Sequence, residues 1–207
     1  MTASTPHRTG RPPVIGLTGG IGAGKSTVAR ILEGMGCVVS DSDRDAAAVI
    51  ETPEVLERLK AWWGHEIVGP DGTPDRRAIA ARVFDDPRER GRLENLVHPL
   101  VHERRRQRFA EADSDTRALV IDAPLLFEAG LDEECDAVIF VDASRELRLE
   151  RVRSERGWDE SEIDRREAAQ LPIDEKRRRA TTVIANNAAA DRLEMDVRAF
   201  LESMPRH

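Results

Sequence analysis

The chain has 207 residues, enough for one sizeable core with insertions, and a net charge of -7 from 32 basic and 39 acidic residues. A hydrophobic fraction of 40% and a charged fraction of 34% are those of a charge-rich soluble protein. The acidic balance argues against generic nucleic-acid binding, and no apolar run approaches a membrane-spanning length. The first residues, "MTASTPHRTGRPP" (1–13), hold no hydrophobic segment. They read as a flexible tail and not as a secretory signal.

"VIGLT" (14–18) reads as a buried strand and "KSTVARILEGMG" as a helix ending at Gly36. Between them, Gly19-Gly20-Ile21-Gly22-Ala23-Gly24-Lys25-Ser26 fits G-x-x-x-x-G-K-[ST]. Such a loop turns successive N–H groups toward phosphate oxygens, and glycine permits both the backbone angles and the close approach. The helix that follows aims its positive end at the same anion. Lys25 would reach the β- and γ-phosphates, and the Ser26 hydroxyl would bind Mg²⁺. A phosphate loop alone does not name a reaction.

A second strand is expected at "CVVS" (37–40), with Cys37 as a small core residue. It runs into "SDSDRDAA", where Asp41 and Asp43 lie two apart at a strand end, the place that faces the ligand crevice in such sheets. Two readings stand: turn and capping duty, or one aspartate orienting a substrate hydroxyl and accepting its proton. An Asp of ordinary pKa takes such a proton only late, once the O–P bond is forming.

The interval from Asp41 to about Arg117 is very long and helical in period: "PEVLERLKAWWGHEI", "RRAIAARVF" and "PRERGRLENLVHPLVHERRRQRFAEA". It reads as a helical insertion that could cover a substrate. Trp62 and Trp63 read as packing residues and not as base-stacking ones, and His98-Pro99 as either a site or a helix irregularity with a hydrogen-bonded His. Arg104-Arg105-Arg106, like Lys176-Arg177-Arg178-Arg179 further on, reads as a solvated helix face.

Further strands are expected at "ALVIDA" (118–123), "AVIFVD" (137–142) and "TVIA" (182–185). Five such runs separated by helices imply a parallel sheet with helices on both faces, an α/β fold. Asp122 could order Mg²⁺ or cap the strand end, and "PLLF" could be a substrate wall or core. Between the fourth and fifth runs lies a charged segment with Arg145, Arg148, Arg151, Arg153 and Arg156, followed by Asp159 and Glu162 at capping-box spacing. It reads either as salt-bridged surface helices or as a lid that brings arginines onto phosphates. Trp158 reads as packing. The two cysteines, Cys37 and Cys135, lack metal-ligand spacing and suit a reducing cytosol, so a cytoplasmic protein is expected.

Taken in order, "IGLTGGIGAGKSTVA", the D-x-D of "SDSD", "DGTPDRRAIAARVF", "HP", "PLLFE", "AAQ" and "VIANN" resemble the dephospho-coenzyme A kinases from about Val14 to Leu201. The resemblance implies a P-loop kinase-like five-stranded parallel sheet flanked by helices. The core would comprise about 14–43, 118–143 and 180–207, with a helical CoA-binding insertion over about 44–117 and a lid over about 144–172. It implies transfer of the γ-phosphoryl group of ATP to the ribose 3′-hydroxyl of dephospho-CoA, with Mg²⁺. No nucleic acid, membrane or obligatory protein partner is implied. Catalytic duty then falls on Asp43, Lys25 and Arg151. ATP falls to Gly20, Gly22, Ala23, Gly24, Lys25, Ser26, Thr27 and Asn186. The acceptor falls to Asp43, Arg76, Arg77, His98, Pro124 and Leu125. The chain departs from the family pattern at Ser40, Glu155, Thr181, Ala185 and Ala188.

Without the resemblance, a P-loop kinase of a nucleotide or small alcohol fits equally. A nucleotide-dependent switch protein is the third class. The chain lacks the guanine-reading N-K-x-D that GTP-binding switches carry, which argues against that class.

Overall fold

Residue types set the sheet. β1 (Val14–Gly19) is buried along its whole length, as a strand covered on both faces must be. The structure, a computed structural model, describes residues 11–84, 86–187 and 190–205. The tail expected over 1–13 lies outside them up to residue 10, as does the departure at Ala188.

β2 (Val38–Asp41), β3 (Leu119–Asp122), β4 (Ala137–Asp142) and β5 (Thr182–Ala185) complete a five-stranded sheet in the order β2-β3-β1-β4-β5. β1 pairs in parallel with β3 (Leu17 opposite Asp122) and with β4 (Gly19 opposite Val141), and β4 with β5 (Asp142 opposite Ala185). The register brings the carboxyl ends of the central strands together, where open α/β sheets hold their ligands. α1 (Lys25–Gly34) and α9 (Ala190–Ser203) pack on each other, and Val28, Leu32, Val197 and Leu201 join Ile15, Leu17, Ile139 and Val141 in one core. Burial pushes the Cys37 thiol up to about 11, so at neutral pH it is a protonated core group and not a nucleophile.

The chain divides into two compact units. One carries the sheet; it ends at Ser40 and resumes at Ala112. The other, Asp41–Glu111, is helical: α2 (Ser42–Ile50), α3 (Pro53–Trp63), α4 (Arg76–Phe84) and α5 (Pro87–Ala110), with a 3₁₀ turn at His65–Ile67. Its own core contains Val49, Val55, Leu59, Trp63, Ile67, Ile79, Val97 and Val101. Trp63 packs there and its indole N–H donates to Glu89 Oε2 at 2.6 Å, while the guanidinium of Arg92 lies 3.9 Å over Trp62. α5 stays continuous through Pro99, so the irregularity expected at His98-Pro99 does not break the helix, although proline brings no N–H to it.

The solvated-face reading of Arg104-Arg105-Arg106 fits the exposed Arg106, which pairs with Glu103 on its own helix, and needs correction at the other two. Asp45 on α2 is 1% exposed, and Arg108 grips it in a fork of 2.8 and 2.9 Å, with Arg104 at 3.3 Å. Arg105 is itself buried. A carboxylate removed from water demands such partners, and only the packing of α2 on α5 supplies them. Among the described residues, no helix is long and apolar enough to cross a membrane.

Candidate active site

β1 delivers the chain to Gly19 and α1 begins at Lys25, so the glycine loop sits where the sequence pattern expects it. Ala23 N–H donates to Gly20 O and Thr27 N–H to Gly24 O, both at 3.0 Å, which curls the loop. Gly24 occupies the left-handed region at φ 91°, and a Cβ there would stand 2.1 Å from Asn186 Nδ2. Both the angle and the contact require glycine. No side chain caps the start of α1, and its first turn holds no acidic residue. The positive end of the helix is therefore left for an external anion. Lys25 is half-buried at that end, Thr27 likewise, and the Ser26 hydroxyl is exposed.

The outer side of the loop is held by side chains from far along the chain. α6 (Arg145–Arg156) lies against it. Arg148 donates to Ile21 O at 3.3 Å and pairs with Glu167. Arg151 donates to Gly22 O at 3.4 Å and Ala23 O at 3.3 Å, and to Asn186 O at 2.9 Å. The buried Asn186 returns Nδ2 to Ala23 O at 2.8 Å. Three consecutive carbonyls are thus engaged from one side. The peptides are trans, so each N–H lies opposite its carbonyl, and the amides of Gly22 and Gly24 face away from the arginines. Neighbouring amides turned the same way in a glycine loop are the kind of donor set that phosphate oxygens accept from.

Asn186→Ala removes the shorter of the two bonds to Ala23 O and leaves that carbonyl to Arg151 alone. The expected result is a loss of about 1–2 kcal/mol in ATP binding, a rise of roughly 5- to 30-fold in Kd. Titration calorimetry checks it, and an unchanged Kd would show that the bracket contributes nothing to the cradle.

The rest of the arginine-rich segment is held by surface charge. Arg145 ties α6 to α7 (Glu160–Glu167) through Glu160 at 2.9 Å and Asp164 at 2.6 Å. Asp159 accepts Glu162 N–H at 2.9 Å, the expected cap. Trp158 packs under the guanidiniums of Arg166 at 4.0 Å and Arg156 at 5.1 Å.

Beyond β3 the chain turns a tight corner. Ala123 N–H donates to Leu17 O at 3.1 Å. Pro124 O accepts from Thr18 Oγ1 at 3.3 Å and from Lys176 Nζ at 2.8 Å. "PLLF" divides between its two readings: Leu126 and Phe127 are buried, whereas Leu125 is exposed. The solvated-face reading of the Lys176 cluster fails at its first member, which is 2% exposed. Position 176 falls on the inner face of α8 (Ile173–Arg179), a turn that the unbroken basic run conceals. Thr181, a departure from the family pattern, does structural work: it exchanges bonds with Val138 through its backbone N–H and its Oγ1, both at 2.9 Å.

In the helical unit, Asp41 caps α2, accepting Arg44 N–H at 3.0 Å. Asp43 is exposed in the first turn of that helix. Arg76 and Arg77 open α4 and are exposed, Arg76 paired with Glu51 at 3.0 Å; His98 is exposed on α5. The Asp45–Arg108 fork went unread in the sequence, and so did the meeting of Glu128 and Gln170, the last residues of "PLLFE" and "AAQ", with Lys176 of the basic run.

Among the described residues, no group of three or more His, Cys, Asp or Glu could hold a metal ion. Mg²⁺ in kinase sites takes one or two protein oxygens and completes its shell with phosphates and water. The exposed Ser26 hydroxyl and the buried Asp122 carboxylate at the end of β3 are hard oxygen donors of that kind.

The family model of dephospho-CoA kinase matches residues 13–192. A protein of Deinococcus radiodurans named "Dephospho-CoA kinase" is 45% identical over 208 residues, covering 99% of each chain. One of the same name from Anaeromyxobacter dehalogenans is 44% identical, covering 89% of this chain and 92% of that one. Among solved structures, TT1252 from Thermus thermophilus superimposes with a TM-score of 0.84 at 37% identity, covering 95% of this chain and all of that one (100%).

Proposed function

The chain belongs to the dephospho-CoA kinase family, and from that premise we propose that it transfers the γ-phosphoryl group of ATP to the ribose 3′-hydroxyl of dephospho-CoA. The products are coenzyme A and ADP, and the step is the last in making coenzyme A. The observation that carries this reading is the match over nearly the whole chain, 13–192. It includes the glycine loop whose carbonyls are held at Ile21, Gly22 and Ala23.

The transition state of such a transfer is loose, with charge spread over the phosphoryl oxygens, so positioning and electrostatics supply most of the rate. In the proposed mechanism the amides of Gly22 and Gly24, together with the start of α1, cradle the phosphates. Lys25 meets the charge that develops between the β- and γ-groups. Arg151 and Asn186 keep the cradle in shape, with Arg151 adding positive charge beside it. Asp43 aligns the acceptor hydroxyl and takes its proton as the O–P bond forms. Arg76, Arg77, His98, Pro124 and Leu125 are assigned to the acceptor. Mg²⁺, held through Ser26, would neutralise charge on the β- and γ-oxygens. The helical stretch 44–117 is assigned to CoA and 144–172 to a lid, in a cytoplasmic enzyme.

The test is incubation of the purified chain with ATP, Mg²⁺ and a panel of acceptors: dephospho-CoA, nucleosides, nucleotides and shikimate. Mass detection of a CoA-sized product from dephospho-CoA is expected. A better rate with another acceptor overturns the assignment. If 144–172 is a lid, amide exchange there slows when ATP and acceptor are both bound. Equal exchange with and without them counts against closure.

A further inference from the structure

The arginine-rich segment is tied at both ends. At its start, Ser144 N–H donates to Asn187 Oδ1 at 2.7 Å. At its far end stands Lys176, 2% exposed, whose ammonium has three protons and meets three acceptors. Glu128 Oε1 lies at 2.7 Å, Pro124 O at 2.8 Å and Gln170 Oε1 at 2.9 Å. Glu128 Oε1 also accepts Leu171 N–H at 2.9 Å. The three stretches joined here are the corner after β3, the end of the segment and α8. Two of them are "PLLFE" and "AAQ", sequence motifs to which the phosphotransfer mechanism assigns no polar side-chain role.

The knot stands beside the phosphate loop. A cavity of about 120 Å³ is lined by Gly19, Gly20, Glu167, Gln170, Ile173 and Lys176 among others. Pro124 O, which Lys176 holds, also receives Thr18 Oγ1 from the last residues of β1. Each member of the buried Lys176–Glu128 pair costs several kcal/mol in desolvation, and apolar residues of similar volume in place of both often serve stability as well, although loss of one partner alone leaves the other uncompensated. Stability is therefore a poor reason for the pair to be there. What it supplies is geometry, since three acceptors from separate stretches fix where Gln170 and Leu171 lie.

We propose that Lys176 is a positioning residue: with Glu128 and Gln170 it forms the fixed hinge of the segment that closes over ATP, and so directs the γ-phosphoryl group to the acceptor and away from water. The proposal rests on the phosphotransfer reading above.

The experiment uses the full chain with ATP, Mg²⁺ and dephospho-CoA, and measures ADP and CoA in parallel. The wild type is expected to make one ADP per CoA. In Lys176→Met, CoA formation falls about 10- to 100-fold, because small displacements at a transfer site are costly, and ADP per CoA rises more than about threefold as water competes. The Kd for ATP stays within about threefold, since the cradle contacts are untouched. Glu128→Gln, the milder change, moves the same ratio in the same direction, and the double variant is no worse than the worse single, as for residues acting through one unit. An unchanged ratio in Lys176→Met overturns the proposal; where that variant does not fold, an unchanged ratio in Glu128→Gln does so. Strictly additive losses in the double variant overturn it too. A wild type that makes no CoA overturns the functional reading itself, and this inference with it.

Discussion

Lys25→Ala is expected to lower kcat by about 10²–10³ while the protein remains folded. The lysine opens α1, directly after the left-handed Gly24, and belongs to neither hydrophobic core. Its removal therefore subtracts charge without creating a cavity. The helix start it shares has no acidic residue and no side-chain cap, so the local field is already positive. In the proposed mechanism Lys25 adds a full charge at the point where the loop gives way to the helix, where the migrating phosphoryl group would gather negative charge. Interactions stronger in the transition state than in the ground state appear in kcat, so KM for ATP should move much less. Steady-state kinetics together with a circular dichroism spectrum check both halves. A folded variant within threefold of wild type would remove Lys25 from the mechanism.

Asp43→Asn is expected to cost about 10²–10⁴ in rate, the range for loss of a general base. Asn keeps the shape and can still hydrogen-bond the acceptor hydroxyl, but it cannot take the proton. ATP affinity should barely change, because the glycine loop is untouched. Asp41→Asn is the control. Asp41 caps α2 through Arg44 N–H, and Asn caps a helix about as well as Asp, so this change should be mild. The pair separates chemistry from local structure, since both residues lie in one short turn. The assignment fails if Asp41→Asn is the more damaging, or if Asp43→Asn weakens ATP binding and spares the transfer step.

Much of this was legible in the residues because it is local. Apolar runs of strand length at 14–18, 37–40, 118–123, 137–142 and 182–185 matched all five strands to within a residue or two. The central strands β1, β3 and β4 need such runs because they are covered on both faces, and the edge strands β2 and β5 carry shorter ones. The glycine loop was equally plain. Its eight-residue spacing is set by backbone angles and by the reach of one lysine, and both are properties of adjacent residues. The capping duty of Asp41 and Asp159 is of the same kind, a side chain bonding an amide three residues on.

Other features depend on which distant residues meet. Lys176 and Pro124 are 52 positions apart, Arg151 and Gly22 129, and Asn186 and Ala23 163. Periodicity describes one helix face against solvent or core and says nothing about which carbonyl or carboxylate waits opposite. That is why the basic runs at 104–106 and 176–179 read as solvated faces, although Arg105 and Lys176 are buried. Hydrophobic pattern, turn chemistry and the phosphate-loop spacing were thus determined by the sequence itself, because they arise from forces acting within a few residues. The grip on the loop's outer carbonyls, the Asp45–Arg108 fork and the Lys176 knot were decided only by the tertiary structure. A buried charge is stable only where its partners converge, and that convergence is a property of the packed chain.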